Sequence, residues 1–325
     1  MLQIFRTDHP LIILLSFGFA VLWHSSVLAG VPDWHPGAEG MLMLWVRGWL
    51  SQVEIPEQIL VVMLLCVQAT LANLLVNRNR LSQNATAFPG IWVILLNCFT
   101  PDFLFLSSFH VVNVLVLLSL LELSSTYNIA HCADKLFNLG LLAGVACLFF
   151  PGAIYLIPLI FIGLNSLRSY KVRERIIPLC GFVVPLAGMW LYHFWYDSTD
   201  QFLRIQGKVP FGWPVFSIGN PGKIFPLVVG TFLLLTILIR LDLLGQRRGI
   251  EARKGIGVLA WTLVFSLGAA LFLPAHGTEA WLLVAMPLGL LLSLVVLGMS
   301  KNGAETAFVI MVIIGVAGHY LRLFL

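Results

Sequence analysis

Eleven long apolar segments follow one another along the chain, near residues 10–30, 58–77, 88–101, 104–121, 136–150, 152–167, 176–195, 222–241, 255–274, 280–298 and 306–322. Polar, basic or proline-bearing stretches separate them. A helix that crosses a bilayer needs about 20 predominantly apolar residues. The pattern therefore predicts an all-α, polytopic transmembrane helical bundle of about 11 spans, forming a single integral membrane domain over residues 1–325. The third to sixth segments are short or interrupted by Pro89, Pro101, Pro151 and Pro158. Broken helices survive at membrane depth only where other helices or a cavity satisfy the freed backbone groups.

Between the first and second segments the period changes. Residues 39–52 place Leu42, Trp45, Val46 and Trp49 on one helical face, with Gly40, Met43, Arg47 and Ser51 on the other. Such a helix lies in the plane of the interface with its tryptophans at headgroup level. It follows the loop "GVPDWHPGAEG", which carries Asp33, Trp34 and His35.

Composition agrees with the pattern. Hydrophobic residues make up 59% of the chain and charged residues 10%, against about 45–50% and about 25% in soluble domains. The net charge of +4 says nothing about nucleic acid; its distribution says more. With the N-terminus inside, fourteen of the nineteen lysines and arginines fall in inner loops, "RRGIEARK" being the clearest. Arg47, Arg204, Lys208, Lys223 and Arg322 remain outside. Eight of the ten tryptophans sit at the outer boundary, as a lopsided aromatic belt. The expected location is a bacterial inner (cytoplasmic) membrane, with a cytoplasmic N-terminus. The segment before Gly30 has the small residues of a signal-peptide cut, but Asp8 in the leader and the prompt return of apolar helix favour a retained first span.

On this topology the polar chemistry gathers on the outer side. Asp102 follows Pro101 in a tight turn, with His110 two helical turns further on. The largest outer loop carries Asp197, Asp200, Arg204 and Lys208, and "PAHGTEAW" adds His276 and Glu279. Six of the eight histidines (His24, His35, His110, His193, His276 and His319) belong to that half. Imidazole beside carboxylate is ordinary material for acid–base work or metal ligation, although loops are also simply where polar residues are allowed. Asp33 and Asp102 stand out because each occupies a short, proline-bounded turn held close to the membrane.

The interior carries little charge. No span has a central Asp, Glu, Lys or Arg, Glu122 being nearest at an inner end. Proton-driven transport, which places ionisable groups at mid-depth, is thus disfavoured. Gln68, Asn73, Asn97, Asn113, Asn138 and Asn165 read as helix–helix glue. Five solitary cysteines without a C-x-x-C offer neither a zinc site nor a redox pair, and no side-chain grouping in the sequence names a resident metal.

Two resemblances add to this. The stretch "FNLGLLAGVACLFFPGAIYLIPLIFIGLNSLRSYKVRERIIPLCGFVVPLAGMWLYHFWYD" resembles a family of uncharacterised multi-span inner-membrane proteins of Bacteroidota, over roughly residues 1–200. That family brings no activity with it. Some of its members carry a carotene-oxygenase label, but those enzymes are β-propellers with four iron-binding histidines on strands, and this chain has no such strands.

The order of the N-terminal elements is similar to lipid-dependent membrane glycosyltransferases of the GT-C type. Those begin with a span, an outer loop bearing a catalytic acid, an interfacial helix and a second acid in the next outer loop. Asp33, the helix 39–52 and Asp102 occupy those places. The resemblance implies that Asp33 takes a proton from an acceptor hydroxyl. It implies that Asp102, with His35 or His110, holds a divalent cation or the acceptor, and that Arg204 or Lys208 neutralises a polyprenyl-phosphate leaving group. The chain departs from that pattern in having no Asp-x-Asp in the first loop, short loops and no soluble outer domain. A non-catalytic membrane subunit of an envelope or secretion complex, in contact with other membrane chains, and a lipid or solute permease are the alternative expectations.

Overall fold

The computed structural model describes residues 11–28, 37, 39–54, 56–82, 85–129, 131–207, 212, 229–240, 249–272 and 279–324. Among them the chain is helical throughout, without strands. In order run α1 (Leu11–Leu28), α2 (Met41–Val53), α3 (Glu57–Arg78), α4 (Phe88–Asn97), α5 (Ser108–Ser124), α6 (Ala133–Phe149), α7 (Leu156–Leu167), α8 (Val172–Trp195) and α9 (Thr199–Gln206). Then come α10 (Val229–Arg240), α11 (Ile250–Phe272), α12 (Leu282–Leu297) and α13 (Lys301–Phe324). Among the described residues four helical stretches are long and apolar enough to cross a membrane: Glu57–Arg78, Val172–Trp195, Ile250–Phe272 and Glu279–Leu297. Shorter apolar helices fill most of the remaining segments.

The prolines decide where the short helices stop. Thr100 and Phe150 each precede a proline and are extended (φ −121°, ψ 148° and φ −150°, ψ 110°), because the proline ring disfavours the helical region for the residue before it. The expected segments 88–101 and 104–121 thus become α4, a 3-10 turn over Pro101–Leu104, and α5. A second 3-10 turn over Pro151–Tyr155 leads into α7.

Four of the six sequence amides, Gln68, Asn73, Asn97 and Asn113, join helices. Asn73 Oδ1 accepts from Gly90 N–H at 2.7 Å, satisfying a donor in the first turn of α4. Asn113 Nδ2 donates to Leu282 O at 2.9 Å, fastening α5 to the start of α12. In the core, Asn97 Nδ2 donates to Gln68 Oε1 (3.3 Å) and Gln68 Nε2 to His110 O (2.9 Å), so α3, α4 and α5 share one chain of hydrogen bonds. α12 packs against α4, α5, α11 and α13, and 89% of its apolar window is buried within the protein.

The tightest approach is between α6 and α8. A Cβ on Gly140 would overlap the Pro178 carbonyl, and one on Gly181 the Phe137 carbonyl. Glycine at these positions lets two backbones meet, the usual device where van der Waals packing must hold helices together in lipid.

Candidate functional site

The most polar assembly lies where the start of α3, the face of α2, the Pro101–Leu104 turn and the start of α12 meet. Its hub is Arg47 on α2. Nε donates to Glu39 Oε1 and Oε2 (3.0 and 2.8 Å), and Nη1 to Glu57 Oε1 and Oε2 (both 2.8 Å). Nη2 donates to Glu39 Oε1 at 2.8 Å and also to the Leu106 carbonyl. All the nitrogens of the guanidinium fork are thus engaged. Although burial opposes its charge, the hydrogen bonds and negative charges of Glu39 and Glu57 hold the Arg47 guanidinium above its ordinary pKa. This explains the orientation of α2: Met41, Met43 and Leu50 are buried beside Arg47, while Trp45 and Trp49 are exposed. The face that carries the arginine turns into the protein, and the tryptophan face turns outward. At its start, Gly40 N–H donates to Phe149 O at 2.8 Å, docking α2 on the end of α6.

Beside this hub, Ser107 caps α5. Its Oγ donates to Glu279 Oε2 at 3.2 Å, which anchors a carboxyl group with only 7% of its residue surface exposed. Asp102, Glu39 and Arg47 all lie within electrostatic reach of Glu279.

Of the residues singled out from the sequence, Asp102 is half-buried in the Pro101–Leu104 turn. His110 is fully buried in α5, where Nε2 donates to Phe103 O at 3.0 Å, tying it to that same turn. His24 is close enough to His110 to interact electrostatically. Arg204 is exposed on α9, which packs on α8 and α2, with Phe202 joining Met41, Leu148 and Met189. Asp33, His35 and Lys208 lie outside the described residues. The structure thus brings Asp102 and His110 to one turn and places Asp102 within electrostatic reach of Glu279, which also senses Glu39 and Arg47. Glu279, Glu39 and Glu57 were not singled out from the sequence as site residues; the Glu279 partner is 172 residues away, and the glutamates of Arg47 are 8 and 10 residues away.

An apolar groove of about 60 Å³ lies between α4, α10 and α12, lined among others by Leu96, Phe99, Phe103, Leu233, Trp281 and Val284. Phe103 follows Asp102 in the turn, and Trp281 lies two residues past Glu279. Among the described residues no three His, Cys, Asp or Glu side chains converge as ligands, so those residues by themselves do not fit the divalent cation that the glycosyltransferase resemblance implies.

Comparison with family models, curated proteins and solved structures finds no match for the chain.

Proposed function

We propose that this is a multi-span inner-membrane protein of the cell envelope that acts as a GT-C-like transferase, moving a group from a polyprenyl-phosphate-linked donor at the outer face. The observation that carries this reading is that the buried Glu279, hydrogen-bonded by Ser107, lies within electrostatic reach of Asp102, Glu39 and Arg47, with Glu57 joined to the same guanidinium. A carboxyl group held in low-dielectric surroundings is costly to keep, and such groups in clefts are candidates for chemistry. In this reading Asp102 and Asp33 share the acid–base work on an acceptor hydroxyl, and His110 positions the Asp102 turn through the Phe103 carbonyl. Arg204 and Lys208 meet the phosphate of the leaving group.

The charge pattern of α8 supports the sidedness of this reading. Its 24 residues span about 36 Å, enough for a hydrocarbon core of about 30 Å. Lys171, Arg173 and Arg175 mark one end, and Trp190, Tyr192, Trp195 and Tyr196 the other. Basic residues favour the cytoplasmic side and aromatic rings the interface, which supports an outward-facing rim in a reading with about 11 spans and a cytoplasmic N-terminus.

The test is to replace Asp33 and, separately, Asp102 by Asn in the chromosomal copy and to profile the envelope glycans and the polyprenyl-phosphate-linked pool. Accumulated donor and a shortened glycan are expected from each. A glycan profile identical to wild type for both variants, at equal protein level, would end the transferase reading.

A further inference from the structure

Two thiols that lie far apart in the sequence meet across the contact between α3 and α4. On α3, Val62, Cys66, Ala69 and Asn73 fall on one stripe, at positions i, i+4, i+7 and i+11 of the helical period. On α4, Gly90 and Ile94 lie on one stripe, and Cys98 extends it by a turn, its N–H donating to Ile94 O at 3.0 Å. Asn73 meets Gly90 and Gln68 meets Asn97, so the two helices run antiparallel. That register sets Cys66 level with residues 97–99. Gly90 permits the close approach, since a Cβ there would overlap the Ala69 carbonyl. Cys98 is wholly buried in one apolar cluster with Val62, Leu65, Ala69 and Ile94, and the half-buried Cys66 packs against that same cluster. The two thiols are near enough to interact electrostatically.

We propose that Cys66 and Cys98 are a disulfide-forming pair, a covalent modification site that ties the end of α4 to the middle of α3 when oxidised. A disulfide needs Cα atoms about 4.4–6.8 Å apart, a spacing that helices in glycine-mediated contact can reach. In the bond-forming step the two sulfurs join, and two protons and two electrons pass to a lipid-soluble two-electron oxidant of the quinone class, which leaves reduced. Cys66 borders the exposed Met63 and Val67 of α3, so its sulfur is the one such an oxidant meets first. Phe99 and Thr100 connect Cys98 to the Pro101–Leu104 turn that carries Asp102. The bond therefore fixes the base of that turn, whether or not the turn does acid–base work.

The experiment uses the full chain in micelles with exposed Cys180 changed to Ser, fully reduced and then treated with copper(II)–phenanthroline in air, which partitions into the micelle as such an oxidant would. Thiols are counted by alkylation in denaturant, and linked peptides are identified by mass spectrometry without reduction. Alkylatable thiols are expected to fall from four to two, with the peptides of Cys66 and Cys98 joined. Adding Cys66→Ser or Cys98→Ser should leave all three remaining thiols free, and Cys98→Ala, which buries no hydroxyl, serves if Cys98→Ser does not fold. In the linked protein, hydrogen exchange at residues 99–105 is expected to slow several-fold relative to the reduced protein. Four thiols surviving oxidation, a bond to Cys132 or Cys147 instead, bridging only by a longer bifunctional thiol reagent, or unchanged exchange at 99–105 in the linked protein would each overturn the proposal. None of these outcomes bears on the transferase reading, which the glycan profiles of Asp33→Asn and Asp102→Asn decide.

Discussion

Removing the hub of the rim gives the sharpest energetic test. In Arg47→Met the side chain keeps roughly its length and loses every donor. Glu57, whose side chain is 38% exposed, can turn to water, and an ion pair of that kind is worth about 0–1 kcal/mol. Glu39 cannot, since only 4% of its side chain is exposed. Its carboxylate would be left buried opposite nothing, and breaking a buried pair from one side costs about 3–5 kcal/mol. The Glu39 contribution therefore dominates, and the expected total is about 3–5 kcal/mol. If stranded charge is the cause, Glu39→Gln in the Arg47→Met background should recover about 2 kcal/mol, a coupling of the size seen for contacting residues. The assay is denaturant unfolding in micelles, followed by a thiol-reactive dye at the buried Cys98, Cys132 and Cys147, after exposed Cys180 has been changed to Ser. A loss below about 1 kcal/mol for Arg47→Met, or no recovery on adding Glu39→Gln, would refute the reasoning.

Two further outcomes are expected from the same assay and from proteolysis. Gly140→Val should destabilise by about 2 kcal/mol or more, because its side chain meets the Pro178 carbonyl of α8 rather than a movable group, whereas Gly188→Ala, on the same helix pair with open space around it, should change stability by less than about 0.5 kcal/mol. Arg168 donates to both Glu174 oxygens (2.8 and 2.9 Å) and to the carbonyls of Thr126 and Ile129 (2.7 and 2.6 Å). Arg168→Ala should thus loosen the connection between α5 and α6, and limited proteolysis should cut within residues 125–132 several-fold faster than in wild type.

How far the sequence could be read depended on the range of the interaction. Helix ends set by Pro101 and Pro151 follow from the chemistry of the neighbouring residue, so the interruptions were visible, and only the lengths of α4 and α5 had to come from the structure. The two faces of α2 were legible from their period, but not which face turns inward. That is decided by Glu39 and Glu57, which lie beyond the ends of the helix and reach Arg47 only after the chain has turned. The partnership of Ser107 with Glu279 had no local signal. The α6–α8 contact did have one, since Gly140 and Gly144 stand four apart in "GLLAG", as a close-packing pair does.

The enclosure of α12 has a consequence for how the chain is made. Its apolar window is almost wholly covered by protein, so its oily composition serves neighbouring helices more than lipid. Yet α4 and α5, which line its berth, leave the ribosome well over a hundred residues earlier. They must wait in the bilayer with that berth vacant or loosely filled, and close around α12 only late in synthesis. Chains cut off after Phe272 should therefore enter the membrane but stay open at the centre, marked for quality-control proteases rather than accumulating as a stable half-molecule.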